Sequence, residues 1–108
     1  MKINPVPVAH KPTDEDRALD RKFLAFNRKQ PCAKCFKPPP SDPAHHRTAA
    51  NSGVACKPLM SAIPLCRDCH RRQHQIGQYR FMPRVKWEQL VAHYVEKFKQ
   101  EHGVDITV

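Results

Sequence analysis

Residues 63–74 read IPLCRDCHRRQH, a Cys-x-x-Cys pair followed at once by two histidines. An earlier Cys-x-x-Cys pair lies within residues 32–35, and thirty residues separate the two pairs. Two such pairs supply the four thiolates that a tetrahedral Zn²⁺ prefers, each on a tight turn whose backbone N–H groups support the sulfurs. The spacing therefore predicts one closed, structural zinc site. Its predicted ligands are Cys32, Cys35, Cys66 and Cys69.

The length and the cysteine count set the context for this site. A chain of 108 residues forms one small domain with a limited core, which a structural metal can supplement. No run approaches the roughly 20 apolar residues of a membrane span, and residues 1–11 lack the apolar core of a signal peptide. We therefore expect a cytoplasmic protein with no membrane partner, in which paired cysteines bind metal rather than form disulfides. The fifth cysteine, Cys56, is either a spare thiol or an extra ligand.

Positive charge is concentrated in the segment that carries the metal motifs. The chain has 19 Lys and Arg against 10 Asp and Glu, a net charge of +9. Between Arg21 and Lys86 there are fourteen basic residues and two acids, Asp42 and Asp68. A basic segment of this kind is typical of proteins that bind a polyanion such as DNA, although it can also be a solvated surface that aids solubility.

The chain is predicted to form a single domain over residues 13–103, between an extended arm at 1–12 and a tail at 104–108. Thr13 followed by three acidic residues predicts an N-cap and a first helix over 14–29. The predicted later elements are a strand over 42–47, a returning segment over 61–65 and helices over 68–75 and 83–102. Apolar residues of the last helix form one stripe that we expect to pack in the core. They are Trp87, Leu90, Val91, Tyr94, Val95 and Phe98.

The histidines form a second candidate site. His70 and His74 are four residues apart, which places both imidazoles on one face of a helix and suits joint ligation of one metal. If His45 or His46 faces that helix across a hairpin, a three-histidine site with open positions results. The remaining histidine, with an ordinary pKa near 6.5, can accept a proton from water at neutral pH. The alternative is that the histidines are incidental and the protein is a zinc-stabilised binding module.

These residues resemble the HNH nucleases, also called His-Me finger or ββα-metal nucleases, in their zinc-knuckle form. The matching stretches are residues 32–35, His45-His46-Arg47, Gly53 and residues 63–74. The histidine doublet, the Ile-Pro-Leu-Cys run and the terminal amphipathic helix are similar to small phage and prophage proteins related to the RecA-dependent recombination-enhancement nucleases. The resemblance covers about residues 20–100. It implies a small, zinc-stabilised α+β fold with a ββα-metal, treble-clef-like core and flanking N- and C-terminal helices.

The resemblance also implies roles for individual residues. His46 corresponds to the general base that activates water, and Ser61, fifteen positions later, stands where the family carries the Asn that orients the base. The histidines implied to bind a catalytic divalent metal (Mg²⁺, Mn²⁺ or Zn²⁺) are His45, His70 and His74. The residues expected to hold DNA phosphates are Arg47, Lys57, Arg67, Arg71 and Arg72.

The function implied by the resemblance is a metal-dependent DNA endonuclease or nicking enzyme in phage recombination or replication, in the cytoplasm of a bacterial host. A recombinase such as RecA is a candidate protein partner. The alternative is a non-catalytic, zinc-stabilised DNA-binding accessory protein on the same scaffold. A third possibility is a zinc module that binds other proteins, but the basic central segment argues against it. We expect salt-sensitive DNA binding dominated by backbone contacts.

Overall fold

The computed structural model describes residues 13–48 and 59–102, and these form a small α+β fold. The predicted N-terminal arm, Gly53, Cys56, Lys57, Gly103 and the C-terminal tail lie outside the described residues. No helix within the described ranges is long and apolar enough to cross a membrane. The elements are α1 (Asp14–Arg28), β1 (Asp42–His45), β2 (Ala62–Leu65), α2 (Arg67–Ile76), α3 (Gln78–Phe81) and α4 (Arg84–His102).

Helix α1 begins with a complete capping box. The Thr13 hydroxyl oxygen accepts a hydrogen bond from the Asp16 backbone N–H, and the Thr13 N–H donates to the Asp16 carboxylate, both at 3.0 Å. Two N–H groups that would otherwise lack partners at the helix start are thereby satisfied. The helix ends at Arg28, with Lys29 as its C-cap, so the predicted span of 14–29 is correct to within one residue.

Strands β1 and β2 form a two-stranded antiparallel sheet in which Ala44 pairs with Ile63 and His45 with Ala62. The pairing continues beyond β1, because the His46 backbone N–H donates to the Ser61 carbonyl at 3.0 Å. All four residues of β2 are buried, and the sheet contacts α1, α2 and α4. The short apolar run before the second cysteine pair therefore forms the centre of the domain.

Helix α4 connects two apolar clusters. Its first half packs Trp87 against Ile63, Leu65 and the buried cysteines, while Phe98 near its end packs against the aromatic rings of α1. Tyr94 contacts both clusters. The apolar stripe predicted for this helix is therefore confirmed as core packing.

The junction between α2 and α3 is formed by Gly77. Its φ of +92° lies in a region that glycine adopts with little strain because it has no Cβ. The Gly77 N–H caps α2 by donating to the Gln73 carbonyl at 3.0 Å. The helix predicted over residues 68–75 corresponds to α2, but the four-residue helix α3 that follows Gly77 was not predicted.

Replacing Phe98 with alanine is expected to lower the free energy of unfolding by about 3–5 kcal/mol. The ring is fully buried, and its centroid lies 5.5 Å from those of Phe23 and Phe26, so the substitution leaves a cavity between α1 and α4. Urea denaturation of the zinc-loaded protein measures the change. Phe36→Ala is the matched control because Phe36 is 78% exposed, and equal losses for the two variants would contradict the prediction.

Candidate functional site

The four predicted zinc ligands come together at one point beside the sheet. Their sulfur atoms all lie within 4.8 Å of one another, and the sulfurs of Cys35 and Cys66 are 3.7 Å apart. A tetrahedral Zn²⁺ with Zn–S bonds near 2.3 Å separates its sulfurs by about 3.8 Å. The four cysteines can therefore hold a structural metal such as zinc.

Each cysteine pair forms the predicted turn, with N–H groups aimed at the first sulfur. The N–H groups of Lys34 and Cys35 point at the Cys32 sulfur, and that of Cys69 at the Cys66 sulfur, all at 3.4 Å. The first turn is tied to β2 because the Ala33 N–H donates to the Pro64 carbonyl at 2.8 Å. Closing the metal site therefore also fixes the position of the sheet.

The pKa values of two thiols in this cluster, Cys32 and Cys69, are shifted in opposite directions. Burial by itself raises the pKa of Cys32, but the N–H groups donating to its sulfur lower that pKa to about 7. Burial and the neighbouring thiols raise the pKa of Cys69 well above its ordinary value. One thiolate therefore opposes ionisation of the next, and a divalent cation at the centre would remove that conflict.

The predicted histidine site is a cavity of about 500 Å³ between β1 and α2. The Nε2 atoms of His70 and His74 are 3.2 Å apart, close to the roughly 3.3 Å between two imidazole nitrogens bound to one tetrahedral zinc ion. The Nδ1 atom of His70 lies 3.4 Å from a carboxylate oxygen of Asp42, an arrangement that orients metal-binding histidines. The cavity walls are formed by Pro43, His45, Arg47, His70, Gln73, His74, Gly77 and Gln78.

His45 lines this cavity, but the histidines are less tightly gathered than the cysteines. Within residues 13–48 and 59–102, the four cysteines are the one group of three or more possible ligands whose ligand atoms lie close enough together to hold a metal ion. Burial, and then the charge of Arg47, lower the pKa of His45. These effects favour the neutral imidazole, which is the form that binds metals.

The histidine doublet is divided between the two faces of its strand. Side chains alternate along an extended chain, and here Pro43, His45 and Arg47 line the cavity while Ala44 and His46 are buried. The predicted general base, His46, therefore lies on the side of the strand away from the cavity, and His45 lies on the cavity side. Whether His46 activates water stays a prediction.

His46 is held by two aromatic residues. Its ring stacks on that of Trp87, with centroids 5.6 Å apart and planes at 21°, and its Nε2 lies 2.8 Å from the Tyr79 hydroxyl oxygen. Burial lowers the pKa of His46, so its ring is neutral over a wider pH range. Tyr79 had no signal in the sequence, because its contact depends on the position of α3.

Gln78 connects α3 to the end of β1. Its side-chain amide makes two hydrogen bonds with Arg47, accepting from the backbone N–H at 3.1 Å and donating to the carbonyl. The Trp87 indole N–H donates to the Gln78 carbonyl at 2.8 Å. Helix α3 therefore holds the extended segment that follows β1 and includes His46. Asp42 and Gln78 were not predicted as site residues, although Asp42 stood out as one of two acids in the basic segment.

The remaining predicted site residues occupy different environments. Ser61 is buried, and its backbone carbonyl receives the hydrogen bond from the His46 N–H. Lys57 lies outside the described residues. The described arginines expected to contact DNA are all exposed, and they are Arg47, Arg67, Arg71 and Arg72. Their DNA contacts stay predictions.

No protein-family model, curated protein or solved structure matches this chain.

Proposed function

We propose that this protein is a metal-dependent DNA endonuclease or nicking enzyme of the HNH type that hydrolyses phosphodiester bonds. The observation that carries the proposal is the pair of His70 and His74 nitrogens 3.2 Å apart, in the cavity that His45 also lines. Such a set of imidazoles can bind a divalent cation while leaving positions open for a phosphate and water.

The roles of the cavity residues follow from their chemistry. His70 and His74 would hold the cation, and His45, which lines the same cavity, is the candidate for a third imidazole ligand. Asp42 accepts a hydrogen bond from Nδ1 of His70 and so presents Nε2 to the cavity. A divalent ion bound there supplies Lewis-acid stabilisation of the charge that develops on the phosphate and on the departing 3′ oxygen.

The positive charge of the chain supports DNA as the proposed substrate. Arg47 is exposed at the cavity wall, where its guanidinium can hold a phosphate through two parallel hydrogen bonds. The net charge of +9 favours association with a polyanion. We propose phage recombination or replication as the setting, and a recombinase such as RecA as a partner, only on the resemblance described above.

His46 is the proposed general base. Burial lowers the pKa of His46 and so favours the neutral ring, which is the form that can take a proton from the attacking water. Stacking on Trp87 fixes the plane of the ring, so Tyr79 and Trp87 perform the orienting task that the family assigns to an Asn at the position of Ser61.

A second candidate function is a non-catalytic, zinc-stabilised DNA-binding accessory protein. It is favoured by the burial of His46, which is only 5% exposed and lies on the face of its strand away from the cavity. In that case the ring serves the packing of α3 and α4 against the sheet, and the histidine cavity has no hydrolytic role.

Cleavage of supercoiled and branched DNA in Mg²⁺, Mn²⁺ or Zn²⁺ separates the two functions. The enzyme is expected to nick or cut, and His46→Gln is expected to reduce the rate about 100-fold or more while DNA binding persists, because general-base catalysis contributes about 10²–10⁴-fold. Glutamine keeps most of the side-chain volume, and the fluorescence of Trp87 reports whether the core is intact. DNA binding without cleavage in any of these metals would instead establish the accessory function.

A further inference from the structure

Phe36, directly after the first cysteine pair, has a strained backbone conformation. Its φ of +65° lies in the left-handed region that favours glycine and is unfavourable for a bulky residue. The hydrogen bond from its N–H to the Cys32 carbonyl, at 3.0 Å, holds it there. Its side chain is 78% exposed, so burial does not offset the strain. The backbone conformation closes the cysteine turn, in which the Lys37 carbonyl accepts from the Cys32 N–H at 2.9 Å. The exposed ring adds little to the folded chain and is available for binding.

The ring of Phe36 forms part of a groove of about 500 Å³ between the cysteine turn and the start of α4. The groove is separate from the histidine cavity, with which it shares no wall residue. Its other apolar walls include Met82, Pro83 and Val85, and Val85 is itself 58% exposed. This surface therefore offers a flat aromatic face beside a shallow apolar trough.

The charges around the groove are positive. Lys34 and Lys86 line it, and no acidic residue does so among the described residues. The first turn of α4, which forms one side of the groove, also carries no acidic residue. An apolar groove with an exposed aromatic ring and a basic rim is complementary to a nucleotide, which joins a flat base to a negative phosphate.

We infer that this groove binds an unpaired base of single-stranded or branched DNA, which stacks on Phe36 while Lys34 and Lys86 contact the flanking phosphates. The inference rests on the proposed DNA-binding function and adds a substrate class to it. Only an unpaired base can present its face to a side chain, because bases within a duplex are already stacked on their neighbours. Duplex DNA is therefore bound through phosphate contacts alone.

The inference is tested by the binding of the zinc-loaded chain of 108 residues to a fluorescent single-stranded oligonucleotide and to its duplex at one fixed salt concentration. Phe36→Ala is expected to weaken single-strand binding about 10-fold and to leave duplex binding unchanged, since loss of one stacked base has an effect of this order. Phe36→Trp keeps the stacking surface and is expected to bind single strands like the wild type. Phe36→Leu keeps an apolar side chain without a π-face and is expected to behave like alanine.

Zinc content confirms that each variant is folded. Single-strand binding equal to the wild type for Phe36→Ala would overturn the inference and leave the proposed function standing. Wild-type binding by Phe36→Leu, with loss in Phe36→Ala, would also overturn it, because the groove would then recognise apolar groups such as those of a peptide. A wild-type protein that binds neither DNA would remove both the inference and the proposed function.

Discussion

Cys32→Ser is expected to yield a protein that lacks zinc and is unfolded. Zinc binding in small zinc domains contributes about 10–16 kcal/mol, which equals or exceeds the total stability of about 5–15 kcal/mol typical of a folded domain. The Cys32 sulfur also receives two N–H groups and lies fully buried beside Ile63 and Trp87. Loss of this ligand therefore removes the metal and disturbs the centre of the core together.

The measurement is zinc per chain by elemental analysis, combined with near-ultraviolet circular dichroism of the buried Trp87. Cys56→Ser is the matched control, because Cys56 is the cysteine predicted to be a spare thiol. It is expected to keep one structural zinc and the wild-type spectrum, and zinc loss in this variant would favour its alternative role as an extra ligand. A Cys32→Ser protein with a full zinc complement and an unchanged spectrum would refute the structural site.

His74→Ala is expected to reduce DNA cleavage about 10³-fold while leaving the fold intact. A catalytic cation stabilises transition-state charge by several kcal/mol, and each 1.36 kcal/mol corresponds to about tenfold in rate. The His74 side chain is exposed, so its removal opens no cavity in the core. The pairing of His70 and His74 across 3.2 Å is lost, and with it the proposed site for a cation.

The rate of nicking of supercoiled plasmid at saturating Mn²⁺ measures this effect. Calorimetric titration with Mn²⁺ provides a second readout that does not depend on activity, and it is expected to show one site fewer in the variant. His93→Ala is the matched control, because His93 is an exposed histidine on α4, and it is expected to cleave like the wild type. Wild-type cleavage and Mn²⁺ binding by His74→Ala would exclude the histidine cavity as the catalytic centre.

The features that could be predicted from the sequence are those set by neighbouring residues. A Cys-x-x-Cys turn gathers two thiols wherever it occurs, so the four ligands of the cysteine cluster were identifiable before their meeting point was known. The start of α1 follows from Thr13 and Asp16, three residues apart. The end of α2 at Gly77 follows from the conformational freedom of one residue.

The histidine site was predicted only in part, because only some of its contacts join residues that are neighbours in the chain. The spacing of His70 and His74 is local to one helix, and their nitrogens do meet. The partition of His45 and His46 between opposite faces follows from the period of an extended chain, but which face borders the cavity depends on how the sheet packs against α2. The contact between His46 and Tyr79 joins positions 33 apart in the chain, and no local pattern signals it.

The sequence by itself therefore determined the four cysteines that can hold a metal, the boundaries of α1, α2 and α4 to within one residue, and the concentration of positive charge. Each of these depends on residues within a turn or two of one another or on composition. Tertiary structure alone decided that His45 faces a cavity while His46 lies under Trp87 and Tyr79, and that Phe36 stays exposed beside two lysines. Those outcomes depend on the packing of α3 and α4 against the sheet and the cysteine turn. Packing across such separations depends on the shape of the whole core, which no short stretch of the chain encodes.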